Sequence, residues 1–178
     1  MSSFRILVCG GRTYGKVWSY EISDWVTDAR AIEQLHRVLG ETCCRTAARL
    51  AAKDKLFDCP SYWSETGSDK SDWIGDTPTA LEILRKVGRP VEIVHGDAIG
   101  ADKLGGDWAK LHGVTEHASP ADWKKHGKAA GYIRNASMLK DYQPDCVVAF
   151  FAENHENRGT KMMCKIATDA KVPVWRIK

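Results

Sequence analysis

The stretch that decides the fold is residues 4–13, which read FRILVCGGRT. An apolar run over residues 4–9 ends at two adjacent glycines, and an arginine and a threonine follow them. A nearly continuous apolar run is typical of a parallel strand that is covered on both faces. Glycine lets the backbone turn tightly and approach a ligand closely. The stretch therefore predicts a buried strand whose carboxyl end opens into a ligand-binding loop.

Similar patterns recur along the chain. Further strands are predicted at residues 91–95, 114–118, 146–151 and 174–177, the second of them weaker. Helical patterns occupy residues 25–39, 78–87, 101–111, 127–140 and 159–170. Strands that alternate with helices predict an α/β fold. We expect a Rossmann-like, doubly wound, mainly parallel sheet with helices on both faces and the first strand at its centre, in a single domain over residues 1–178.

One segment, at about residues 41–76, does not follow this alternation. It carries a possible helix at residues 43–55 and then a polar stretch rich in Ser, Asp, Gly and Trp. We interpret it as an insertion on the scaffold, partly loop. Trp63 and Trp73 within it either pack the segment against the body, which we favour, or cover a ligand.

Composition narrows the class of protein. A chain of 178 residues, 43% of them hydrophobic, can bury one good core. Its net charge of +3 suits an anionic ligand without requiring a nucleic-acid partner. No apolar run approaches the roughly 18 residues of a membrane span, and no signal-peptide pattern is present, so we expect a cytoplasmic protein with no membrane association.

The cysteines predict neither a metal site nor disulfides. Cys9, Cys146 and Cys164 lie in apolar strand or helix patterns and are interpreted as small core residues. Cys43, Cys44 and Cys59 match no paired metal-binding spacing. In a reducing compartment, disulfides are not expected either.

Three glycine-marked turns follow predicted strands, at residues 10–13, 96–102 and 158–160. In a doubly wound sheet, ligands bind outside the carboxyl ends of the strands, where the strand order reverses. A helix that starts there points unpaired N–H groups and the positive end of its dipole at the ligand. The three turns together predict one anion site, which we interpret as a site for a nucleotide phosphate.

Each polar residue in these turns has two possible roles. Arg12 either grips a phosphate as a bidentate fork or is a solvated loop arginine. Gly159 and Thr160 offer N–H groups and a hydroxyl to an anion, or form an ordinary helix cap. For Asp97 we favour a ribose contact or loop bracing, and for Asp102 stabilisation of the first turn of its helix.

Two other side chains and two missing motifs complete this interpretation. Trp123 either stacks on a base or packs under its own loop, which we favour. His95 at a strand end is interpreted as a hydrogen-bonded structural residue rather than an acid, base or ligand. The sequence has neither a Walker-type lysine loop nor a Gly-x-Gly-x-x-Gly after the first strand, which disfavours ATP hydrolysis of that kind and standard NAD binding. The candidate ligand-binding residues are Gly10, Gly11, Arg12, Thr13, Gly96, Asp97, Gly100, Ala101, Asp102, Trp123, Arg134, Asn135, Gly159 and Thr160.

These motifs resemble a known family. Residues 6–14 (ILVCGGRTY) and 95–102 (HGDAIGAD) resemble the YspA-like branch of the SLOG superfamily, which joins the Smf/DprA proteins to the LOG cytokinin-activating enzymes. Residues 120–123 (PADW), 131–135 (GYIRN) and 158–160 (RGT) match in the same order, so the resemblance covers most of the chain except roughly residues 41–76. It implies a Rossmann-like domain that binds nucleotides or nucleotide-derived ligands. It implies no established reaction for this branch.

One departure from the LOG pattern bears on chemistry. The LOG motif Pro-Gly-Gly-x-Gly-Thr-x-x-Glu is matched at Gly159 and Thr160, but Met163 stands at the glutamate position and no Pro-Gly-Gly precedes it. A thioether cannot act as an acid or stabilise an oxocarbenium ion. A LOG-like hydrolase of nucleotide N-glycosidic bonds would therefore need another carboxylate, such as Asp97 or Glu153.

We thus expect a protein that binds a nucleotide-derived small molecule as a sensor, sponge or adaptor. Whether it is also an enzyme stays open, and if it is, we expect a hydrolase of nucleotide or nucleotide-sugar bonds. A DprA-like single-strand DNA binder is a further alternative, against which the mild net charge weighs. No cofactor is expected, and we expect the chain to form a homo-oligomer.

Overall fold

The structure, a computed structural model, describes residues 3–19, 24–54, 77–152 and 157–178. Within these residues the strands are β1 (Phe4–Gly10), β2 (Lys16–Ser19), β3 (Asp24–Thr27), β4 (Val91–His95), β5 (Thr115–Ala118), β6 (Cys146–Phe150) and β7 (Val174–Ile177). The helices are α1 (Ala29–Asp54), α2 (Thr77–Lys86), α3 (Ala101–Leu111), α4 (Trp123–His126), α5 (Ala130–Tyr142) and α6 (Arg158–Asp169). None of these helices is long and apolar enough to cross a membrane.

A five-stranded parallel sheet forms the centre of the molecule, in the order β5-β4-β1-β6-β7. Ile6 of β1 pairs with Ile93 on one side and with Cys146 on the other. The chain builds outward from β1 first through β4 and β5 and then through β6 and β7. The strand order therefore reverses beside β1, and the predicted mainly parallel α/β sheet with a central first strand is confirmed.

Both faces of the sheet are covered, which explains why the strands are apolar at successive positions. Ile6 and Val8 are fully buried in one core cluster, which includes residues of α1, α2 and α3. Leu7 and Cys9 point to the opposite face, into a second cluster with residues of α5 and α6. Burying one such aliphatic side chain contributes about 1.5–3 kcal/mol. The cysteines predicted as core residues, Cys9, Cys146 and Cys164, are buried.

The segment after β1 differs from the prediction. Residues 25–27, predicted as the start of a helix, belong instead to β3, which pairs antiparallel with β2. The helical spacing of apolar residues that was traced from Trp25 holds only from α1 onward, because Trp25 lies opposite Trp18 in this two-stranded sheet. The apolar residues therefore follow a helical spacing only after the end of β3.

The first helix is longer than predicted. The sequence suggested one helix ending near Leu39 and another beginning at Cys43, but α1 runs unbroken through Gly40. A Cβ on Gly40 would lie 2.5 Å from Thr77 Oγ1, so glycine here permits close packing of α1 against α2. Residues 41–54 of the predicted insertion thus belong to α1, with Cys43 buried in the core. Residues 55–76, including Trp63 and Trp73, lie outside the described residues.

Candidate functional site

A cavity of about 660 Å³ opens at the carboxyl edge of the sheet, beside the ends of β1, β4 and β6. Its volume lies in the range of roughly 300–1,000 Å³ that is typical of small-molecule sites. It brings together residues of all three glycine-marked turns and of α5. The candidate residues that line it are Gly10, Gly11, Arg12, Gly96, Asp97, Asp102, Trp123, Arg134, Asn135, Gly159 and Thr160. Thr13, Gly100 and Ala101 are not among the residues that line it.

The turn after β1 needs both of its glycines for packing. A Cβ on Gly10 would overlap that of Ala101 and lie 2.6 Å from the Phe150 carbonyl oxygen. A Cβ on Gly11 would lie 2.6 Å from Asn157 Oδ1. Only a chain without side chains here can pass between α3 and the end of β6. The turn places Arg12 at the cavity wall.

Arg12 itself is exposed and lies beside an aromatic ring. Its Cζ is 5.9 Å from the centroid of the Trp123 ring, within the distance of a cation–π contact. Trp123 is 51% exposed, so it does not pack under its own loop as the sequence favoured. One cation and one aromatic face therefore lie together at the cavity wall.

The N-terminus of α6 opens to the same cavity. Asn157 precedes the helix, but its side chain does not cap it. Instead, Asn157 Oδ1 accepts from the Ala152 N–H at 3.0 Å, and its Nδ2 donates to the Ala152 carbonyl at 2.8 Å. The N–H groups of Gly159 and Thr160 receive no cap from Asn157, in the turn where a helix attracts anions. Asn157 was not among the predicted site residues, although an asparagine before a predicted helix is a capping signal.

The turn after β4 has its N–H groups engaged by the protein itself. Gly96 and Ala98 donate to the Asp102 carboxylate at 3.1 and 3.3 Å. Asp97 donates to His95 Nδ1 at 3.1 Å. The sequence predicted that this turn shares in an anion site, but these three N–H groups bond to internal acceptors. Asp102 occupies the position at the start of α3 where an external anion would otherwise bind.

Asp102 is a buried charge with a partner on α5. It is 4% exposed, and burial raises its pKa above the usual value, opposed by the positive charge of Arg134. Arg134 Nη1 lies 3.8 Å from Asp102 Oδ2 and also donates to the Gly96 carbonyl. From the same helix, Asn135 Nδ2 donates to the Gly159 carbonyl at 3.4 Å. Residues of α5 thus brace the turns after both β4 and β6.

His95 is fully buried and is bonded through both ring nitrogens. Because Nδ1 accepts from Asp97, the proton sits on Nε2, which donates to Glu116 at 2.8 Å. This bond lowers the pKa of Glu116. A Cβ on Gly106 would lie 2.9 Å from His95 Nε2, so glycine in α3 leaves room for the pair. These contacts fit the structural role that the sequence suggested for His95.

The side chain at the LOG glutamate position does not line the cavity. Met163 is fully buried in the second core cluster, while the preceding Met162 lines the wall. The carboxylates that line the cavity within the described residues are Asp97 and Asp102. Lys103 donates to Asp97 and lowers its pKa. Glu153 lies outside the described residues, among which no group of three or more His, Cys, Asp or Glu could hold a metal ion.

The chain is similar in sequence to known proteins. The model of the YspA, cpYpsA-related SLOG family matches residues 79–126, from α2 through α4. The Gene 61 protein of Mycobacterium phage D29 is 33% identical over 87 residues, which are 46% of this chain and 67% of that protein. No solved structure gives a significant match. The family match and the parallel sheet, with its glycine turns around one cavity, lead to one conclusion: the chain belongs to the YspA, cpYpsA-related SLOG family.

Proposed function

We propose that the cavity binds a nucleotide or nucleotide-derived ligand whose phosphate lies between Arg12 and the N-terminus of α6. Membership of the SLOG family indicates nucleotide-related ligand binding in general. The observation that carries the proposal is the N-terminus of α6. The side chain of Asn157 does not cap this helix end, which lies on the wall of the cavity that Arg12 also lines. Helix N-terminal N–H groups and an arginine fork both favour phosphate.

The start of α3 supports this assignment by contrast. At α3, the carboxylate of Asp102 already accepts from the Gly96 and Ala98 N–H groups. A phosphate placed there would meet a buried carboxylate rather than unpaired donors. The exposed face of Trp123 beside Arg12 suits a nucleobase, since stacking of a base on an aromatic ring is worth about 1–3 kcal/mol.

The proposed role is binding, as a sensor, sponge or adaptor, rather than cleavage of the ligand. Met163, at the LOG glutamate position, lies in the core. Asp102 is held by two backbone N–H groups and by Arg134, and Asp97 is paired with Lys103. Neither carboxylate resembles an acid that is free to protonate a leaving base.

Replacing Arg12 by alanine is expected to weaken nucleotide binding by about tenfold to a hundredfold, or roughly 1–3 kcal/mol. The loss arises because a charge-assisted contact to a phosphate is removed while the backbone donors of α6 remain. Isothermal titration of the four ribonucleoside 5′-monophosphates against the wild type and Arg12→Ala measures it. Chromatography of the same mixtures detects any released base.

The matched control is Arg85→Ala, which removes an exposed arginine from the last turn of α2, away from the cavity lining. It should bind like the wild type. Equal affinity in the wild type and Arg12→Ala contradicts the phosphate assignment, and rapid release of base by the wild type contradicts the binding role.

A single-stranded oligonucleotide in the panel is expected to bind weakly. Light scattering of these samples measures whether the chain is the homo-oligomer that we expect.

A further inference from the structure

We propose that Asp97 recognises the hydroxyl groups of the ligand's sugar, so that the cavity selects ribonucleotides over nucleotides that lack those hydroxyls. The inference rests on the proposed function and names the ligand class of the same cavity. Asp97 lines that cavity from the turn after β4. Since β4 and β6 lie on opposite sides of β1, this turn faces the turn after β6 across the end of β1. In any nucleotide the sugar lies between the phosphate and the base.

The backbone of Asp97 is the first observation. Its φ is +55°, in the left-handed region that residues other than glycine rarely adopt. Gln143 and Lys171 have similar values, but both follow the C-terminal ends of helices, where this conformation is ordinary. Asn157, with φ +48°, precedes α6 and lines the same cavity. Asp97 follows a strand instead and faces a cavity. A less favourable backbone conformation that is held in place at a cavity wall points to a function for that residue.

The charge of Asp97 is the second observation. Lys103 donates to its Oδ1, and this bond holds the pKa of the carboxyl below its usual value. Asp97 is therefore ionised at neutral pH and can only accept hydrogen bonds. A phosphate would be repelled by it, whereas neutral O–H donors are attracted. A ribose, with two neighbouring hydroxyls, supplies such donors.

A relay of hydrogen bonds holds Asp97 in this conformation. The carboxylate of Glu116 fixes the tautomer of His95 by accepting from Nε2–H, and Nδ1 then accepts from the Asp97 N–H. Glu116 sits on β5, so the relay runs from the edge strand to the cavity wall. We assign His95 and Glu116 as positioning residues, which act on the ligand only through Asp97.

The test uses a variant that removes the carboxylate without straining the chain. Asp97→Gly fits a φ of +55° at no steric cost, so it should fold like the wild type. The probes are the ribonucleoside 5′-monophosphates, their 2′,3′-dideoxy analogues and inorganic phosphate, in isothermal titration. We expect the wild type to bind the ribo form roughly 10- to 100-fold more tightly than the dideoxy form. Asp97→Gly should lose this preference and keep its affinity for inorganic phosphate.

Two further variants test the relay, with the ribo-to-dideoxy ratio as the readout. Glu116→Ala should reduce the ratio, while Glu116→Gln, whose amide oxygen still accepts from His95 Nε2, should retain it. Asp141→Ala, an exposed carboxylate on α5, is the matched control and should leave the ratio unchanged.

The outcomes separate this inference from the proposed function. If the wild type binds both forms equally, and Arg12→Ala still weakens binding, the assignment of Asp97 is overturned and the phosphate site stands. The assignment is also overturned if Asp97→Gly keeps the full preference. If none of the four ribonucleotides binds, or if Arg12→Ala binds them as tightly as the wild type does, the proposed function fails. This inference then fails with it.

Discussion

Gly100→Ala is expected to lower the free energy of unfolding by roughly 2–5 kcal/mol, the sum of a backbone term and a packing term. Gly100 has φ +89° and ψ −134°, a region that is almost reserved for glycine. A Cβ there would overlap the Gly11 carbonyl oxygen and lie 2.8 Å from that of Arg12. Both neighbours are backbone atoms, which cannot rotate away as a side chain would. Urea unfolding followed by circular dichroism measures the change.

Gly113→Ala separates the two causes of this loss. Gly113 also has a positive φ, +62°, but a Cβ there would meet nothing within 4 Å. Its substitution should cost only the left-handed strain of about 1–2 kcal/mol. Losses of equal size in the two variants would mean that the backbone contact at Gly100 has no energetic weight. Because Gly11 and Arg12 belong to the turn after β1, Gly100→Ala should also weaken nucleotide binding.

Asp102→Ala is expected to lower the free energy of unfolding by roughly 3–5 kcal/mol, the usual cost of breaking a buried charge pair. The substitution removes the hydrogen-bond acceptor of the Gly96 and Ala98 N–H groups and the carboxylate that faces Arg134. Asp107→Ala, on the exposed face of the same helix, is the control and should change stability by at most about 1 kcal/mol. If the two variants unfold alike, Asp102 does not hold the turn together.

The same carboxyl gives a pH dependence whose sign can be stated. Burial raises the pKa of Asp102 in the folded state above its unfolded value of about 3.9. Between those two values the folded protein keeps a proton that the unfolded chain has lost, so its contribution to stability falls as the pH rises. Asp102→Asn cannot titrate. The stability of the wild type minus that of Asp102→Asn should therefore decrease as the pH rises through this interval.

The parallel sheet was predictable because its strands are buried on both faces. Successive apolar residues such as Ile6, Leu7 and Val8 indicate such a strand without knowledge of its neighbours. The prediction that a helix ends near Gly40 is wrong. A glycine near the end of a helical pattern suggests a stop, but its actual reason is the approach of Thr77 on α2, which the sequence does not reveal. Contacts between distant residues decide such positions.

The same limit applies to the candidate site. The glycine turns could be identified because a strand end followed by a helix start is a local pattern. Which turn has its N–H groups bonded by a side chain of its own helix could not be predicted, because it depends on where Asp102 and Asn157 direct their side chains. The role of Glu116 depends on the pairing of β5 with β4, which brings it beside His95. Local pattern thus locates the cavity, and tertiary contacts assign roles within it.

The carboxylate of Asp102 makes the cavity electrically one-sided. Of the helices that begin at its wall, α3 has its positive end neutralised by Asp102 of its own first turn, whereas the first turn of α6 contains no acidic residue. For the proposed ligand, we therefore expect binding in one orientation, with its charged end at α6, and no second anion site at α3. The Asp102 carboxylate accepts the hydrogen bonds at the start of α3 that an external anion would otherwise accept. Where Asp102→Ala still folds, it should accordingly accept a second anion that the wild type refuses.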